Sequence, residues 1–192
     1  MSRGRILLVG GGVRSGKSAF ALTRAEALGA RRVFVATAQA LDDEMAVRIA
    51  RHQDERADRY RTVEAPVELP AALAAIDDAD VVVVDCVTLW LSNLLLREEP
   101  EAELSARLDA LVAVLRQRRF HAVVVTNEVG MGVVPPTPLG RAFRDLAGTA
   151  HKRLAACADE IHLAVLGTVL RLRPEPVAVV SPLLDDDDDL AR

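Results

Sequence analysis

The sequence predicts an α/β domain with a mostly parallel central sheet flanked by helices. Three observations carry this expectation. Short apolar, β-branched runs alternate with stretches of helical spacing along the chain, the order that builds a parallel sheet with right-handed crossovers. One run, Val81–Val84, is wholly apolar, as expected of a strand buried on both faces. Hydrophobic residues make up 51 % of the chain but aromatics only 3 %, so the core must come from Val, Leu, Ile and Ala.

The elements follow in order. Arg5–Val9 reads as a strand running into glycines, and Ser18–Leu28 as a helix stopped near Gly29. Arg32–Ala36 is a second strand. Asp42–Asp58 has helical spacing and an acidic start, which suits the positive end of a helix dipole. Tyr60–Val63 is a short extended piece, and Val67–Ile76 a helix after Pro66. Val87–Leu96 and Glu101–Arg118 read as helices and His121–Thr126 as a strand. Pro135, Pro136 and Pro138 mark a loop. Gly140–Ala156 is a helix and Glu160–Val165 a strand. Val169–Leu172 and Val177–Val180 are weaker strand signals beside Pro174 and Pro176. No repeat or linker divides the chain. Residues 1–180 are expected to form one domain, followed by an acidic, disordered tail over 181–192.

At 192 residues, folding should bury roughly 70 % of the unfolded surface. The formal net charge is −4, less than the contribution of the five aspartates Asp185–Asp189. A body so close to neutral gives no sign of a nucleic-acid binder. The two cysteines, Cys86 and Cys157, have neither CxxC nor metal-site spacing, and are read as reduced thiols. No signal segment is evident, and no apolar stretch approaches the roughly 20 residues that span a bilayer. A soluble, cytoplasmic protein is the expectation.

The chemistry begins at Gly11-Gly12-Val13-Arg14-Ser15-Gly16-Lys17-Ser18, a match to G-x-x-x-x-G-K-[ST] placed between a predicted strand and a predicted helix. A polyphosphate needs many donors at short range. The glycines let successive backbone N–H groups turn inward, and the following helix adds its N-terminal dipole. Lys17 can reach the β- and γ-phosphates, and the Ser18 hydroxyl can ligate Mg2+. This is the P-loop of nucleoside triphosphatases. A second element matches it: Val81–Val84 ends in Asp85, a carboxylate at the sheet edge that can hold Mg2+ directly or through water. Alternatively, Asp85 only caps the helix that follows.

Of four histidines, His121 and His162 fall on strands and read as structural, and His151 sits on a helix. His52 has Arg48, Arg51, Arg56 and Arg59 near it in sequence. Helical geometry puts it on the side of Met45 and Ile49. That position suits a packed core histidine, a phosphate ligand or a nucleophile, since neutral imidazole can attack phosphorus at neutral pH.

The segments GGVRSGKS at 11–18, ATAQALDDEMAVRIARH at 36–52, TVEAP at 62–66, DCVTLWLSNLL at 85–95, TNEVGMGVVP at 126–135 and FRDLAG at 143–148 share a further likeness. Together they resemble the bifunctional adenosylcobinamide kinase / adenosylcobinamide-phosphate guanylyltransferase family of cobalamin biosynthesis. The resemblance runs from Gly10 to about Gly167. It implies a RecA-like P-loop fold and a homotrimer. It also implies two reactions. Adenosylcobinamide is phosphorylated with ATP or GTP, and GMP is then passed from GTP to adenosylcobinamide-phosphate through a GMP-histidine intermediate. His52 falls on the guanylylated position. Nucleotide contacts implied by the family's motifs are the cradle Gly11–Ser18, Thr37, Ala38, Gln39, Arg56, Ala57, Asp58, Arg59, Glu64 and Asp85, with Lys17 catalytic and Mg2+ at Ser18 and Asp85. The chain departs from the family at Tyr60, where Trp is frequent, and at His151-Lys152, where Asn-Gln is frequent. An ordinary metabolite kinase, or a nucleotide-driven switch protein, would also carry a P-loop. No NKxD-like guanine-reading motif supports the switch.

Overall fold

The structure is a computed structural model that describes residues 3–40, 47 and 57–182. Its strands are β1 (Ile6–Gly11), β2 (Arg32–Ala36), β3 (Arg61–Glu64), β4 (Val81–Asp85), β5 (His121–Asn127), β6 (Glu160–Val165), β7 (Thr168–Arg173) and β8 (Ala178–Pro182). Its helices, numbered here in chain order, are α1 (Lys17–Glu26), α2 (Leu69–Ala74), α3 (Val87–Leu96), α4 (Glu101–Arg116) and α5 (Pro138–Ala155). All strands join one sheet in the order β3-β2-β4-β5-β1-β6-β7-β8. The first six in that order are parallel, and β7 and β8 add antiparallel.

Strand residues alternate between two cores, as the period of two requires. Ile6, Leu8, Val82, Val84 and Val124 face one cluster with α2 to α5. Leu7, Val9, Val81, Val83 and Val125 face the other with Phe20, Ala21 and Ala25 of α1. Valine on both faces explains the unbroken apolar runs. The helix α3 is buried nearly all round. Trp90 Nε1 donates to Val67 O at 2.7 Å, and Asn93 Nδ2 donates to Thr37 O at 2.8 Å and Pro66 O at 2.9 Å.

Three expectations need adjustment. Pro138 belongs to α5, not to a loop. It stands at the start of the helix, where a missing N–H costs nothing, and Thr137 Oγ1 caps the turn by accepting from Gly140 N at 3.1 Å. The two weak strand signals are real and antiparallel, because a two-residue turn at Leu166-Gly167, both with positive φ, reverses the chain. β8 also runs to Pro182, two residues past the expected domain boundary. The helix expected over 42–58 lies mostly outside the described residues; Ala57–Arg59 forms a short 3-10 turn.

Candidate nucleotide site

The end of β1 opens into the glycine loop. A side chain at Gly11 would place its Cβ 2.5 Å from Ser15 Oγ and 2.7 Å from Ala164 O, so only glycine fits. Gly16 turns with φ 79 and Arg14 with φ 53. Gly16 provides no side-chain cap to α1, and no acidic residue occupies the helix's first turn. The positive end of α1 therefore meets whatever anion enters. Among the described residues Ser15 Oγ is buried with no hydrogen-bond partner, a polar atom that a ligand oxygen would satisfy. Lys17 is buried, and its Nζ donates to Gly12 O at 3.0 Å. A cleft of about 410 Å³ lies between Gly12–Gly16 and Ala164–Gly167.

Most of the sequence-predicted residues meet at one edge of the sheet. Thr37, Ala38 and Gln39 follow β2, Glu64 ends β3 and Asp85 ends β4, all at the C-terminal edge that holds the cradle. Thr37 is fully buried and its hydroxyl is committed. It accepts from Cys86 N and donates to Cys86 O, each at 2.8 Å, while Thr37 N donates to Asp85 O at 3.2 Å. This lattice fixes the backbone that carries Asp85. Asp85 itself does not cap α3: the cap position is Cys86, with no side-chain cap bond. Ser18 and Asp85 offer a hydroxyl and a carboxylate, the hard oxygen donors that Mg2+ takes when phosphates and water complete its shell. The residues present fit such an ion.

Asp58 and Arg59 stand apart. They precede β3 and so lie at its N-terminal end, where Arg59 Nη1 pairs with Glu26 Oε1 at 2.6 Å. Glu26 is the last residue of α1, about 14 Å along the helix from Lys17. His52 and Arg56 lie outside the described residues, as does the Ala57 side chain.

The structure adds residues that motif reading did not assign. Thr88 Oγ1 accepts from Asn127 N at 3.2 Å and Asn127 Nδ2 at 2.9 Å, and contacts Cys86 Sγ at 3.2 Å. Burial, with the nearby Asp85 charge, pushes the Cys86 thiol up to about 11, so it stays protonated. Glu128 N donates to Gly11 O at 3.0 Å, placing Glu128 beside the cradle. Its carboxylate lies 3.6 Å from His151 Nδ1, and His151 Nε2 hydrogen-bonds Thr126 Oγ1 at 2.8 Å. Burial lowers the His151 pKa, opposed by Glu128. A signal for these was present: Thr126, Asn127 and Glu128 are polar residues where an apolar strand ends, as Asp85 is.

With this geometry in view, the likeness to known proteins is decisive. Residues 7–172 match the family described as cobinamide kinase / cobinamide phosphate guanyltransferase. The chain belongs to that family. It is 39 % identical over 184 residues to the bifunctional adenosylcobalamin biosynthesis protein CobU of Escherichia coli, covering 88 % of this chain and 99 % of the relative. It is 40 % identical over 171 residues to the bifunctional protein CobP of Pseudomonas aeruginosa, covering 88 % and 98 %. Two solved structures share the fold. The RadB recombinase superposes with a TM-score of 0.52 at 19 % identity, over 93 % of this chain and 87 % of that one. The flagellar accessory protein FlaH from Methanocaldococcus jannaschii gives 0.53 at 10 % identity, over 94 % and 91 %. The family member is thus a RecA-like P-loop protein. Among its described residues no helix is long and apolar enough to cross a membrane.

Proposed function

We propose that this chain is a bifunctional enzyme of cobalamin nucleotide-loop assembly. It phosphorylates the aminopropanol hydroxyl of adenosylcobinamide with ATP or GTP. It then transfers GMP from GTP to adenosylcobinamide-phosphate by way of His52, giving adenosylcobinamide-GDP and pyrophosphate. The observation that carries the reading is the glycine cradle Gly11–Ser18, where only glycine fits at Gly11, in a chain matched to the family over residues 7–172.

The residues divide the work. Backbone N–H groups of Gly12–Ser18 and the α1 dipole hold the polyphosphate. Lys17 exchanges its Gly12 carbonyl for phosphate oxygens and follows the charge that shifts during transfer. Ser18 and Asp85 would hold Mg2+, which when bound neutralises phosphate charge. The Thr37–Cys86 bonds keep Asp85 in place. His52 supplies a nucleophilic nitrogen: its bond to the α-phosphorus forms as the bond to pyrophosphate breaks, and the corrinoid phosphate oxygen then displaces the histidine. In-line attack at the γ-phosphorus and at the α-phosphorus cannot share one nucleotide pose, so the nucleotide or the His52 segment moves between steps. A homotrimer, drawn from the family resemblance, and a cytoplasmic location, drawn from the sequence, complete the proposal.

The test is His52→Ala. The kinase step needs the cradle and an oriented hydroxyl, and no imidazole. The variant is expected to make adenosylcobinamide-phosphate, accumulate it, and take no label from α-labelled GTP. The wild-type label should be acid-labile and alkali-stable, as a phosphoramidate is. Label retained on the variant would move the nucleophile elsewhere.

A further inference from the structure

β5 lies between β4 and β1 in the sheet, so its C-terminal end opens between Asp85 and the cradle. Thr126 and Asn127 pair with Gly10 and Gly11 of β1, and Glu128 N donates to Gly11 O at 3.0 Å. Among the described residues, Glu64, Asp85 and Glu128 are carboxylates at or just past strand ends on this edge. In the order of the sheet Glu128 stands one strand from the cradle, Asp85 two and Glu64 four, at about 4.8 Å per strand. Asp85 is suited to a metal ion. Glu128, the nearest by strand, has no part in the chemistry described so far.

The carboxylate is held in place. Its Oε1 accepts from Gly130 N at 2.7 Å, and its Oε2 lies 3.6 Å from His151 Nδ1. His151 is fixed in turn through Nε2, 2.8 Å from Thr126 Oγ1. A side chain at Gly130 would place its Cβ 2.9 Å from Glu128 Oε1, so glycine there leaves room for the carboxylate. The Glu128 side chain is 28 % exposed and Gly130–Val134 are exposed, which leaves the carboxylate open to an entering molecule. A fixed negative charge beside a polyphosphate site opposes the anion. It favours a step in which the attacking group must lose a proton. The two reactions differ on this point. The kinase nucleophile is an alcohol, which must lose its proton as its oxygen bonds to phosphorus. The transferase nucleophile is a phosphate oxygen, largely ionised near neutral pH.

We propose that Glu128 is the general base of the kinase step, receiving the proton of the substrate hydroxyl while Gly130 N and His151 hold its carboxylate in place. The proton passes to Glu128 as the alcohol oxygen bonds to the γ-phosphorus. The bond from that phosphorus to the β,γ-bridging oxygen breaks, and its electron pair leaves with the nucleoside diphosphate. Glu128 then returns the proton to water. The inference rests on the kinase reading of the site. A positioned base contributes about 100- to 10,000-fold. Phosphoryl transfer has a loose transition state with little proton loss, so the lower end, about 100-fold, is expected here.

The test is Glu128→Gln in the full chain, since a Gln Oε1 can still accept from Gly130 N. Initial rates of adenosylcobinamide-phosphate formation are measured at saturating ATP and Mg2+. The expected kcat is about 100-fold below wild type, with KM for ATP unchanged or lower. Guanylyl transfer to supplied adenosylcobinamide-phosphate should lose far less, because its nucleophile brings no proton. Glu128→Ala should regain part of its kinase rate in added formate, and Glu128→Gln none. Circular dichroism checks each fold, and Glu128→Ala with formate carries the test if the Gln variant does not fold. Wild-type kcat in Glu128→Gln overturns the role of Glu128 alone. So does an equal loss in both reactions. A higher Mg2+ requirement would make the carboxylate a metal ligand and overturns it as well. Equal responses of the Ala and Gln variants to formate would be an ionic effect, with the same consequence. Wild-type protein that makes no adenosylcobinamide-phosphate overturns the kinase reading itself.

Discussion

Among the described residues, the polar contacts at the N-terminal edge of the sheet are charged and close on one another, while those at the C-terminal edge are mostly neutral and stop at a glycine loop. On the first edge Arg118 holds Asp159 through Nη2 at 3.0 Å and Gly4 O through Nη1 at 3.0 Å, while Asp159 accepts from Ile6 N at 2.8 Å. Glu160 joins Arg5 and Arg24, each at 3.1 Å. Asp80, held by hydrogen bonds from Arg31, is pushed down to about 2. On the second edge the work falls to the Thr37, Cys86, Thr88 and Asn127 groups, a hydroxyl–thiol–amide lattice. Paired charges can only hold a fold. Neutral groups fix backbone positions without cancelling the field that an anionic ligand and its metal must feel. The edge built for stability and the edge built for chemistry should therefore respond differently to substitution.

The largest contrast is expected from Lys17→Ala. The variant loses a charge needed as phosphate charge shifts, and the rate should fall by at least about 100-fold. Its thermal midpoint should change little, because Gly12, whose carbonyl accepts the lysine, is exposed and water can replace the donor. Calorimetry and corrinoid product analysis on the same preparation check both halves. Full activity in a folded Lys17→Ala protein would refute the cradle assignment.

Arg118→Ala probes the other edge and should invert the pattern. Four hydrogen bonds are lost, to Asp159, Gly4 O and Cys157 O, and charge-assisted bonds contribute roughly 1.5–3 kcal/mol each at most. Asp159 keeps its bond from Ile6 N, so a net destabilisation of about 2 kcal/mol is expected. Denaturant midpoints would show it. The kcat/KM of the folded fraction should stay at wild type; a parallel fall in kcat/KM would mean that the two edges are coupled.

Much of this division was legible in the residues. Strands such as Arg32–Ala36 and Glu160–Val165 were placed to the residue, because each is a mostly apolar run that opens on a charged residue. The cradle and Asp85 were legible because a motif fixes local geometry as well as chemistry. Contacts between distant segments were not. Nothing in the order of residues says that Thr37 spends its hydroxyl on Cys86, 49 positions away. Arg59 shows the same limit from the other side. Nothing in its sequence neighbourhood says that Arg59 pairs with Glu26, 33 positions away. Nor does the motif say that Lys17 is buried.

The smallest effect tests the C-terminal edge itself, at His151. Burial lowers its pKa, as it does for His121 and His162. A group with a depressed folded-state pKa binds fewer protons when native. Its stabilising contribution is complete above the unfolded value of 6.5, and is lost as pH falls through 6.5 toward the lower folded value. Stability should therefore fall on acidification from neutral pH, with the three histidines acting together. His151→Gln keeps a partner for Thr126 Oγ1 and removes one titrating ring. Its denaturation midpoint should decline less steeply than wild type below pH 6.5, and should match it above pH 7.5. Among the described residues the remaining histidine slope belongs to His121 and His162. If the wild-type and variant slopes coincide, the Glu128 carboxylate at 3.6 Å offsets the burial. His151 would then be ion-paired and not neutral, and the C-terminal edge would carry a charged contact of the kind that holds the opposite one.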